Sequence, residues 1–60
     1  MDESDYRSFL GIAHSAMNIH QKQEFLNFLE QHNEAFIKID TLTKYLIVQN
    51  FVKGLLNIHV

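Results

Sequence analysis

Laid out at about 100° per residue, the apolar positions of this chain fall into three stripes separated by short polar breaks. Over residues 4–17, Tyr6, Phe9, Leu10, Ile12, Ala13, Ala16 and Met17 share one side, while Arg7, Ser8, Gly11, His14 and Ser15 share the other. Asp2, Glu3 and Asp5 gather at the start, where carboxylates meet the positive end of a helix dipole, and Ser4 is a candidate cap. The spacing predicts a first helix over 4–17.

Asn18 and Gln21 have the spacing of a capping box, and from Ile19 to Ile39 the separation is again clean. Phe25, Phe28, Leu29, His32, Ala35, Phe36 and Ile39 form the stripe, widened by Leu26 and Ile37. Glu24, Asn27, Glu30, Gln31, Glu34 and Lys38 lie opposite. Unbroken phase across Asn33 predicts one helix over 19–39, in preference to a strand at Phe36–Ile39. Asp40 then caps a third helix over 41–53 or longer. On it Ile47, Val48, Phe51, Val52, Leu55 and Ile58, with Tyr45 and Leu56, take about half the circumference. Gly54 leaves two readings open. Either the helix continues, or Gly54 lies just past its end and Leu55–Val60 form a tail or a strand.

The expected fold is therefore all-α, a single small domain over 1–60. Its last stripe is wider than two short helices should cover. A chain of 60 residues lies near the lower limit for folding alone and usually needs a staple. Without cysteine, disulfides and thiolate-rich zinc sites are excluded. His14, His20, His32 and His59 are separated by gaps of 6, 12 and 27 residues, so none forms the i, i+4 pair that presents two imidazoles to a metal. Oligomerisation is the remaining staple. The reading is a helical bundle completed by homodimerisation, with Tyr45, Val48, Phe51, Val52 and Leu55 as the dimer or partner interface.

Charge narrows the function further. Five Lys and Arg stand against seven Asp and Glu, and no two basic residues are adjacent, so the clustered cations that displace counterions from nucleic acid are missing. No segment reaches the ~20 apolar residues of a membrane span. The acidic start is the reverse of a signal peptide, and the expected location is cytoplasmic. No nucleophile-elbow pattern surrounds Ser4, Ser8 or Ser15, and no Glu-x-x-His pair is present. Neither catalysis nor a cofactor is expected. His32, at the centre of the second stripe, is the one candidate with pH-dependent chemistry, because charging an imidazole in a core is costly.

In order and type, Tyr6, Leu10, Ala13, Phe25, Phe28 and Leu29 resemble the helical hook of Sin-type repressors and anti-repressors. Tyr6 stands where that pattern has tryptophan, the turn carries extra residues, and the second half of the chain has no counterpart. No function is carried over from it. The pattern leads instead to a non-enzymatic regulatory or inhibitory protein that docks a helical surface on an unidentified protein target, a profile shared by small host-directed inhibitors of phages and mobile elements. The alternative is a dimeric helical nucleic-acid-binding regulator that pools Arg7, Lys22, Lys38, Lys44 and Lys53 on one face.

Overall fold

The computed structural model describes residues 1–57. They form four helices: α1 (Glu3–Ser15), α2 (Ile19–Gln31), α3 (Asn33–Ile37) and α4 (Thr41–Leu56), with no strand among the described residues. At the starts of α1, α2 and α4 side chains satisfy amides that a helix leaves without partners, whereas α3 has no side-chain cap. Asp2, rather than Ser4, caps α1, its carboxylate accepting from the Ser4 N–H at 3.2 Å. At α2 both halves of the capping box are made. The Gln21 N–H donates to Asn18 Oδ1 at 2.9 Å, and the Asn18 N–H to Gln21 Oε1 at 3.0 Å. Asp40 accepts from the Thr43 N–H at 2.7 Å to open α4.

Two boundaries depart from the periodicity. The expected helix over 19–39 is interrupted at His32, which leaves helical geometry at φ −100° and ψ 7°, and α3 ends at Ile37. His and Asn are mediocre helix formers, and a single residue near the bridge region is enough to end one helical segment and begin the next. The interruption hardly disturbs the phase, because Phe28, His32 and Phe36 still stack in one column, so spacing did not reveal it. At the other end Gly54 is interior to α4. The helix stops at Asn57, whose φ of 56° is left-handed, a conformation that asparagine tolerates. Of the reading of Leu55–Val60 as tail or strand, Leu55 and Leu56 are helical, whereas the stripe position Ile58 lies outside the described residues.

α4 packs against both α1 and α2. Contacts between α1 and α4 advance in the same direction. Thr41 Oγ1 donates to Glu3 at 2.8 Å, the Lys44 ammonium lies 5.0 Å from the Tyr6 ring centre, and Phe9 meets Tyr45 edge-on at 4.8 Å. Between α2 and α4 they advance in opposite directions, from the Gln21 amide donating to the Leu55 carbonyl at 3.1 Å to Phe28 stacked on Phe51 at 4.0 Å. Gln21 thus uses both ends of its side chain, one to cap α2 and the other to tie it to α4. The buried residues are Tyr6, Ala13, Met17, Phe25, Val48 and Val52, with Phe9, Leu10, Phe28, Leu29, Phe36, Tyr45, Phe51, Leu55 and Leu56 packed around them.

Candidate docking surface

The residues expected to meet a partner mostly face inward. Val48 is 0% and Val52 6% exposed, so α1 and α2 of the same chain already cover them. Tyr45 is half-buried against Phe9, Phe51 lies between the rings of Phe25 and Phe28, and Leu55 is half-buried at the edge of the core. In the folded chain Val48 and Val52 offer no surface to another molecule. Their stripe was correctly apolar, but an apolar stripe does not show whether its cover comes from the same chain or from another.

His32 also moves. It is exposed at the joint between α2 and α3, edge-on to Phe28 at 4.5 Å and stacked on Phe36 at 5.8 Å. It is therefore not a core residue, and the burial on which a pH switch depended is absent.

Several residues assigned to inner faces turn outward. Ile12 is 71% exposed, and Leu26 and Ile37 are exposed as well. On α4, Leu42 and Leu46, which periodicity did not single out, are 50 and 53% exposed, and Ile47, which the spacing placed in the inner stripe, is 41% exposed. At 100° per residue Leu42 and Leu46 lie about 120° and 160° from Val48, and Ile47 about 100° the other way. Apolar side chains therefore run nearly round α4. One side enters the core and the other faces solvent. Gln49, Asn50 and Lys53 border Leu46 and Ile47 in an open surface depression.

No family model, curated protein or solved structure matches this chain. Its surface chemistry has to be read from geometry alone.

The polar side chains at the shared end of α1 and α4 are engaged with one another. Glu3 accepts from Thr41, and the Lys44 ammonium pairs with it at 3.4 Å. The Thr41 hydrogen bond, aided by the nearby Lys44 and Arg7 charges, holds the Glu3 carboxyl below its ordinary pKa. Hydrogen bonds from Thr43, side chain first and backbone second, lower that of Asp40. Burial raises that of the Tyr6 phenol, with the Glu3 charge adding to the effect. Beside this cluster, Tyr6, Leu10, Leu29, Asn33, Phe36, Ile37 and Lys44 line an open crevice of about 240 Å³. Its one cation, Lys44, is already paired. No described helix is long and apolar enough to cross a membrane.

Proposed function

We propose that this chain is a non-enzymatic regulatory or inhibitory protein of the cytoplasm that acts by laying a helical surface on another protein, and that a second copy completes its bundle. One observation carries the reading: α4 holds the core with one side and exposes Leu42, Leu46 and Ile47 on the other. Contiguous apolar surface on so small a body is costly in water and marks an association site. Its border of Gln49, Asn50 and Lys53 is the polar rim such sites carry.

The nucleic-acid alternative gains no support from the arrangement. Arg7, Lys22 and Lys53 sit on three different helices, Lys38 lies in the turn after α3, and Lys44 is committed to Glu3. Affinity capture from an extract of the cells that make the protein tests the proposal. The wild-type chain should retain a partner that Leu46→Glu does not. Equal capture by both would overturn α4 as the docking surface.

A further inference from the structure

We infer, independently of any docking at α4, that α3 is a hinged strap over the crevice beside Tyr6. α2 and α3 exchange between the interrupted form and one continuous helix over 19–37, and the continuous form draws α3 away from the crevice. Nothing local demands the interruption. The chain has no proline, its two glycines are Gly11 and Gly54, and His32 keeps a negative φ. The helical register also runs through the joint. The His32 N–H donates to the Phe28 carbonyl at 3.2 Å and the Phe36 N–H to the His32 carbonyl at 2.9 Å, both the four-residue step of an α-helix. Between them, the Asn33 and Ala35 amides do not close on the Leu29 and Gln31 carbonyls. Turning the two His32 torsions by about 40° and 50° reaches helical values and lets both bonds form.

Tertiary contact therefore holds the interruption, and that contact is thin. No residue of α3 is buried, and Phe36 is its one side chain packed on the core, edge-on to Phe28 at 6.3 Å. Asn33, Phe36 and Ile37 wall one side of the crevice against Tyr6 and Leu10 of α1. The exchange trades two backbone hydrogen bonds against the cover on one phenyl ring, terms of similar size. Beyond the strap, Asp40 stays fixed as the cap of α4, so the slack is Lys38 and Ile39, ~7 Å of extended chain. α3 thus moves as a tethered unit about His32 and widens the crevice over Leu10 and Leu29. An apolar group that enters the widened crevice selects the continuous form, because only that form admits it.

The test uses the full chain and two substitutions that push the exchange the same way. Phe36→Ala removes the anchor, so amide hydrogen exchange followed by NMR should slow at Asn33 and Ala35 by about tenfold or more as their bonds close. His32→Ala puts the best helix former at the joint without taking an atom from the crevice wall, and should shift the exchange by about threefold. The chain has no cysteine, so Leu10→Cys reports access to the crevice through its rate of reaction with a water-soluble thiol reagent. That rate should rise about threefold when His32→Ala is added. Leu29→Cys, on another wall, gives the same readout if Leu10→Cys does not fold.

Faster exchange across 33–37 in Phe36→Ala would mean that α3 unravels instead of joining α2, and overturns the inference. Unchanged exchange at Asn33 and Ala35 overturns it as well, because the bonds then do not form once the anchor is gone. Thiol labelling indifferent to His32→Ala leaves the crevice covered in both forms and removes the gating role.

Discussion

Val48→Ala and Leu46→Ala make the sharpest comparison, because the two positions lie two residues apart on α4 and differ almost entirely in cover. Val48 is fully buried between α4 and its neighbours, whereas Leu46 is 53% exposed. Removing two buried methyl groups from Val48 costs about 1.6 kcal/mol in transfer free energy, and the cavity left behind brings the total to roughly 2–3 kcal/mol. A core of this size rarely supplies more than about 3–5 kcal/mol, so the substitution takes away about half of the stability. At about 8 °C per kcal/mol for a chain of this length, the melting midpoint should drop by roughly 16–24 °C. Leu46→Ala removes more atoms, but from water and in favour of the best helix former, and should stay within about 0.5 kcal/mol. Urea titration followed by far-ultraviolet circular dichroism at two protein concentrations separates intrachain loss from dimer loss. Loss at Leu46 that shrinks on dilution belongs to pairing between copies. Concentration-independent loss at Leu46 as large as that at Val48 would refute the assignment of inner and outer faces.

Three further outcomes are expected. The folded carboxyls of Glu3 and Asp40 have lowered pKa values, so their contribution is present above the unfolded values near 4 and is lost as pH falls through the folded ones; Glu3→Gln and Asp40→Asn should flatten the acid limb of a urea-midpoint profile. Gly54 is helical with nothing within 4 Å of an added Cβ, so Gly54→Ala should stabilise by roughly 0.5–1 kcal/mol in a thermal melt. Gln21→Ala breaks both the cap of α2 and the tie to Leu55 and should cost about 1–2 kcal/mol in the same assay, while Gln21→Glu, which keeps the cap acceptor, should cost less.

Features that depend on a few neighbouring residues were legible in the sequence. Asn18 with Gln21, and Asp40 with Thr43, cap helices because a short side chain reaches an amide two or three residues ahead whatever the rest of the chain does. The amphipathic period likewise specified helices rather than strands, even where valine and isoleucine favour strands. The choice of Asp2 over Ser4 as the first cap, and of Asn57 over Gly54 as the last stop, turned on single-residue backbone geometry that several residues can satisfy.

Tertiary structure decided which part of each stripe is used. A stripe about half a circumference wide is broader than the contact one neighbouring helix makes, so its flanks are free to face inward or outward. Ile12, Leu26 and Ile37 share stripes with buried residues yet lie in solvent, and Val48 and Leu46, both apolar and on the same helix, took opposite sides. The joint at His32 was invisible for a related reason: it departs from helical dihedrals at one residue while preserving the column of Phe28, His32 and Phe36. Periodicity records the angle of a residue around its own helix. Where that helix lies, and therefore which angle is covered, depends on contacts between residues distant in sequence, such as Glu3 with Thr41 and Gln21 with Leu55.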